Sequence, residues 1–265
     1  MNSIQPTPSS AGARQARIIL GIMAAAVLVF MGVMVVRALR TTRSNLPGAS
    51  PSKRLAATNG SAIDPSSMRT LAGEHFTVGF SSHTDKVEAA AVMRILDSAR
   101  HDVARRLTPA QVSLEGVPQL EIILHESTGD FTARTGQPWW AAAATKGSRI
   151  ELQPIEVLRN RGVFESTLRH EYTHAVIESL GHGTTPRWLA EGMAITVAGE
   201  GRNLSRYAPI EAWSTDEIDR RLAALANGPA TADEMRTVYA AAYRAVQTLI
   251  KEKTEAGVWR SIASA

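Results

Sequence analysis

Residues 170–174 read His-Glu-Tyr-Thr-His, and this stretch restricts the fold more than any other part of the chain. On a helix, residues four apart share a face. His170 and His174 can therefore converge on one ion, with Glu171 beside them to take a proton from a water. Thr167 and Leu168 precede the motif, Ala175, Val176 and Ile177 follow it, no Pro interrupts, and Arg169 is the only flanking charge. That pattern predicts a mostly buried helix, able to hold ligands rigidly. Two imidazoles do not make a catalytic zinc site, which takes three protein ligands and keeps a position for water. Glu178 lies on the same face, but its Cα is about 12 Å along the helix axis from that of His170, while a ligand must come within about 2 Å of the ion. The third ligand must come from another segment folded against this helix.

The next segment offers one. Leu180-Gly181-His182-Gly183 ends the first helix, with Gly181 at the C-terminal stop. Thr185 and Pro186 then start a second as N-cap and first helical residue. Arg187-Trp188-Leu189-Ala190-Glu191-Gly192-Met193-Ala194 follows. Trp188, Leu189 and Met193 can pack on the first helix, and a short connection makes the two helices neighbours. Glu191 then projects from apolar surroundings, where a lone carboxylate is costly and a divalent cation removes the cost. His182, in a Gly-flanked loop, is the competing ligand. A metzincin would carry Gly at 177 and His at 180; Ile177 and Leu180 stand there instead.

With these two segments the chain resembles the gluzincins, the metallopeptidases with two histidines and a glutamate. It is most similar to the bacterial peptidase MA-like group, whose second helix carries Pro-x-Trp-Leu-Ala-Glu-Gly, here Pro186 to Gly192 in full. The resemblance runs through residues 74–265, with Glu74–Val78, Gln119–His125 and Ser148–Leu152 matching the family's strands, the last as the edge strand before the active-site helix. It implies an α+β, thermolysin-like zincin fold: a small mixed sheet, an active-site helix and a helical C-terminal part. It also implies one zinc per chain held by His170, His174 and Glu191, with Glu171 as general base. In such peptidases a Tyr or His stands near the developing oxyanion; Tyr239 and Tyr243, one helical turn apart, are the candidates. The edge strand of the family binds substrate backbone by strand addition, which needs no particular side chains. The Gly-x-Met-Glu-Asn element of related aminopeptidases is missing, which favours an endopeptidase acting on peptides or proteins.

The remainder of the chain reads as accessory. Ile18 to Val36 is a run of 19 residues without a charge, about 28 Å long as a helix and close to the roughly 30 Å of a bilayer core. Arg37, Ala38, Leu39 and Arg40 do not make a cleavage site of small residues. A retained single-pass anchor in the cell membrane is expected, contacting the lipid bilayer through 18–36, with a tail at 1–17 and a periplasmic or extracytoplasmic catalytic domain. Residues 37–73, rich in Ser, Thr, Pro and Gly, read as a flexible linker, ahead of a peptidase domain at 74–265. Residues 1–70 hold eight Lys and Arg against one acid, leaving 21 basic and 24 acidic residues beyond, a net of −3. The catalytic part has no basic surface for nucleic acid. With no Cys in the chain, disulfides and thiolate ligands are excluded.

Phe76, Val78 and Phe80 alternate as in a half-buried strand, as do Leu120, Ile122 and Leu124. Asp85 to Leu107 has helical periodicity through Val87, Ala91, Ile95, Leu96, Ala99 and Val103. A short helix capped by Ser127 is expected to Thr135, with further helices at 216–226, 233–253 and 258–262. Trp139 and Trp140, followed by four alanines, read as a core corner ahead of the wall of a cleft. Two alternatives accompany the peptidase reading: a catalytically silent envelope scaffold on the same fold, and a zinc amidase acting on cell-wall material.

Overall fold

The computed structural model describes residues 68–81, 84, 86–227 and 231–265. Five strands form one sheet: β1 (Met68–Ala72), β2 (Phe76–Ser81), β3 (Leu120–Leu124), β4 (Ala143–Lys146) and β5 (Arg149–Leu152), in the order β1-β2-β3-β5-β4. The sheet is mixed. β2, β3 and β5 run parallel, while β1 and β4 are antiparallel at the two edges. Its parallel centre is fed by α1 (Lys86–Leu107) between β2 and β3, the kind of crossover that parallel neighbours require.

Alternation along the strands turns Val78, Ile122, Leu124, Ile150 and Leu152 to one face, all buried. Against that face lie α1, through Val92, Leu96, Ala99 and Val103, and α4 (Phe164–Leu180), through Leu168, Tyr172 and Val176. Tyr172 meets Phe76 edge to face at 5.6 Å. The buried stripe of α1 runs Ala89, Val92, Leu96, Ala99, Val103, Leu107, and Val87 is exposed. The helix is thus rotated from the stripe that the early apolar residues suggest. On the opposite face sits α2 (Thr128–Thr135), capped as expected by Ser127, whose hydroxyl accepts from the Asp130 N–H at 3.0 Å.

A short α3 (Ile155–Asn160) leads into α4, and α5 (Arg187–Ala198) packs on α4 through Leu189 and Met193. After α6 (Gly201–Leu204), a second core forms where α7 (Thr215–Asn227) and α8 (Ala232–Ala263) close on α5. Ile195, Ile218, Leu222, Met235 and Val238 fill it. The molecule is mixed α+β, a small mixed sheet followed by a helical C-terminal part.

Several expectations shift. Residues 68–72, counted with the linker, form β1: their few apolar side chains would not hold a strand, but β2 pairs with them from Met68↔Ser81 to Ala72↔Thr77. Arg149–Leu152 is not an edge strand. It lies between β3 and β4, and Ala143–Lys146 takes the edge. The expected break between the two C-terminal helices is kept: α8 consists of two helical segments that meet at a kink at Thr254 (φ 64°, ψ 159°). Trp139 is 65% exposed, whereas Trp140 packs against the second core, so the corner is built from one indole. Among the described residues no helix is long and apolar enough to cross a membrane, so the expected single-pass membrane placement is not supported. The tail 1–17, the run 18–36 on which that placement rested and the linker up to residue 67 lie outside the described residues.

Candidate metal centre

α4 buries His170 and Glu171 at its middle and leaves the His174 side chain 10% exposed. α5 supplies Glu191, also buried. α5 packs between α4 and α8, and at Gly192 it comes up against the backbone of α8. A Cβ there would fall 2.4 Å from Val246 Cγ2 and 2.6 Å from the Ala242 carbonyl oxygen, so only glycine lets the backbones approach this far.

His170 Nε2 lies 3.1 Å from His174 Nε2, and Glu191 Oε2 lies 3.5 and 3.4 Å from the two nitrogens. Glu191 Oε2 is buried and makes no hydrogen bond. Three donor atoms thus face one point, and the group could hold a metal ion. His182 does not join it; it is exposed in the turn after α4 with φ 48°. That turn departs from the expected one. Gly181 keeps right-handed backbone, and the left-handed residues are His182 and Gly183. α5 begins at Arg187 with no side-chain cap. Instead the Trp188 N–H, otherwise without an acceptor at a helix start, donates to Asp219 of α7 at 2.7 Å.

Two further residues complete the site without any sequence motif. Glu200 accepts from the His170 Nδ1–H at 2.9 Å. It reaches back because Gly199, at φ 76°, ends α5 in the left-handed conformation and reverses the chain. Thr145, buried on β4, donates its hydroxyl to Glu171 Oε2 at 2.5 Å, while Glu171 Oε1 is buried without a partner. A lone acid after a helix end and a threonine in a four-residue strand carry no local signal of this kind, so only the folded chain identifies them.

The pocket is short of positive charge. Burial by itself would lower the His170 imidazole, but Glu200 and Glu191 raise it to about 10. Burial raises the Glu191 carboxyl, and the two imidazoles more than offset that, leaving it below the ordinary range. Glu171 is raised by its burial, against the pull of His170, His174 and Thr145. Facing carboxylates and imidazoles of this kind favour a bound cation, whether proton or metal.

The two tyrosines separate. Tyr239 is buried, and its phenol is pushed well above 10 by burial and then by Glu191, Glu171 and Glu200; it belongs to the site's surroundings. The ring of Tyr243 lies against Gly201, where a Cβ would come within 2.1 Å of it. It lines a separate depression with Thr196, Gly199, Arg202 and Asn203. No protein-family model, no curated protein and no solved structure matches the chain.

Proposed function

We propose that the chain is a zinc-dependent peptidase of the gluzincin type on a thermolysin-like fold, an endopeptidase hydrolysing peptide bonds with Glu171 as general base. The observation that carries this is the triangle of His170 Nε2, His174 Nε2 and Glu191 Oε2, with sides of 3.1, 3.5 and 3.4 Å. Ligands about 2.0–2.1 Å from a tetrahedral zinc are about 3.3 Å apart, so the three atoms fit one face of that tetrahedron and leave the fourth position open. Two His and one Glu are also a catalytic rather than a structural donor set, since structural zinc takes four protein ligands. When bound there, zinc would act as a Lewis acid and lower the pKa of a water towards 7.

The protein's own groups supply the remaining steps. Glu171 Oε1 accepts a proton from the attacking water as its oxygen bonds to the carbonyl carbon. Glu171 then returns that proton to the leaving nitrogen as the C–N bond breaks, giving a carboxylic acid and an amine. Tyr239, whose phenol keeps its proton, is suited to donate to the carbonyl oxygen as negative charge develops there. Tyr243, turned towards Gly201, is not assigned that role. β4, as the terminal strand, offers backbone groups to an extended substrate.

Metal analysis of the refolded and zinc-refilled protein should find about one zinc per chain. Glu171→Gln should keep that zinc while peptide turnover drops by about 10²- to 10⁴-fold, the usual contribution of a general base. A fully active variant, or a wild-type protein that takes up no zinc, would overturn the proposal.

A further inference from the structure

Glu171 is hydrogen-bonded by a residue of β4, the terminal strand of the sheet. β4 and β5 form a hairpin closed by Gly147 and Ser148, with Lys146↔Arg149, Thr145↔Ile150, Ala144↔Glu151 and Ala143↔Leu152 in register. The Gln153 N–H donates to the Ala142 carbonyl at 3.0 Å, which makes 142 and 153 a hydrogen-bonded pair. In an antiparallel ladder such pairs alternate. Ala144 and Lys146 therefore turn their backbone groups inward to β5, whereas Ala143 and Thr145 turn theirs to the open edge. The side chain of Thr145 stands perpendicular to the sheet, on the buried face it shares with Ile150, where its hydroxyl reaches Glu171 Oε2 at 2.5 Å.

This arrangement makes the two carboxylate oxygens of Glu171 unequal. Oε2 is fixed by Thr145, and Oε1 is buried with no hydrogen-bond partner. A valine would fill nearly the same volume as Thr145 and leave both oxygens without a donor, a costly state for a buried carboxylate. We propose that Thr145 is the positioning residue of Glu171: its hydroxyl fixes the carboxylate with Oε1 turned to the reacting water, and its main chain ties that orientation to the strand on which substrate backbone rests. Shifting β4 therefore shifts the base with it, and a peptide seated on the edge meets a carboxylate already aimed. The consequence for turnover rests on the peptidase reading above; the orientation of Glu171 does not.

The test compares zinc-refilled wild type, Thr145→Val and Thr145→Ser as full chains. Quenched fluorescent peptide pools report turnover, and the carboxylate stretch of Glu171 is followed by infrared spectroscopy on ¹³C-glutamate-labelled protein, the band being assigned by its loss in Glu171→Gln. Thr145→Val should retain zinc and the melting behaviour of a folded protein, with kcat down about 10- to 100-fold and KM within about twofold, the signature of a misplaced catalytic group. The Glu171 band should move in Thr145→Val and return in Thr145→Ser, together with most of the kcat. A Thr145→Val protein with an unmoved band, or with wild-type kcat, would overturn the inference, as would failure of Thr145→Ser to restore the band. If wild type cleaves nothing, the peptidase reading fails, and the Glu171 band still decides whether Thr145 positions it.

Discussion

The imidazole of His170 is gripped at both nitrogens. Nε2 faces His174 and Glu191, while Nδ1–H donates to Glu200 at 2.9 Å. A carboxylate on the far nitrogen fixes the tautomer, so that the near nitrogen keeps its lone pair for a metal, and it raises the basicity of the ring. Glu200→Gln keeps the size of the side chain but removes the charge, and the amide can still accept through its oxygen. The expected outcome is a zinc affinity lower by about 10- to 100-fold, the usual loss when such a partner is replaced. Competition against a chelator of known affinity at fixed pH measures it. Unchanged affinity would mean that the Nδ1 contact does not bear on the metal.

At the scale of elements, the site depends on how near α5 comes to α8. Gly192 sits where a methyl group would press on a backbone carbonyl as well as on Val246, so the strain cannot be relieved by turning one flexible side chain. Gly192→Ala should cost about 1–3 kcal/mol of stability, as overpacking does, and should weaken metal retention as well, because Glu191 is its neighbour on the helix. Urea midpoints with and without zinc would show both effects; an unchanged midpoint would mean the helices are not this tightly apposed. Helix spacing also explains what could be foreseen. His170, Glu171 and His174 are ordered by the period of one helix, and Glu191 follows from a short loop and an apolar second helix, so all four were legible. Thr145 and Glu200 meet them only through the sheet edge and a reversal at Gly199, which no periodicity records. The edge itself was misplaced because the resemblance matched Ser148–Leu152 to the family's edge strand, while the small Ala143-Ala144-Thr145 run carries almost no strand signal.

The whole molecule joins two cores, one between the sheet and α1 with α4, the other among α5, α7 and α8, and the candidate centre lies where α4, α5 and the edge of the sheet meet. Its stability in acid rests on carboxyls that the fold holds low, two of them on the far face of the sheet. There the buried His125 ring stands between Asp130 and Glu151, each 2.7 Å from a ring nitrogen. For Glu151 the hydrogen bond to His125 is the main influence, and the carboxyl is held below its ordinary range. For Asp130, burial acts upward but His125 and Arg134 win, and that carboxyl is low too. Asp102, beside Arg106 and Arg105, is likewise held low against its burial. Carboxyls lowered in the fold bind protons more weakly there than in the unfolded chain, so their stabilisation is complete above the ordinary carboxyl range. It is lost as pH falls through their folded values. Glu171 and Asp219 act in the opposite sense, since burial raises them, but Glu191 and Glu234 are held low as well, and the lowered carboxyls outnumber the raised ones. The urea midpoint should therefore hold down to about pH 5 and fall steadily below about pH 4. His125→Leu removes the donor shared by Asp130 and Glu151, leaving each with one arginine, at 3.0 Å from Arg134 and 3.3 Å from Arg149. That variant should be less stable at neutral pH and should lose less on going from pH 6 to pH 3 than wild type. Equal acid losses in the two proteins would place the acid sensitivity elsewhere than at this histidine.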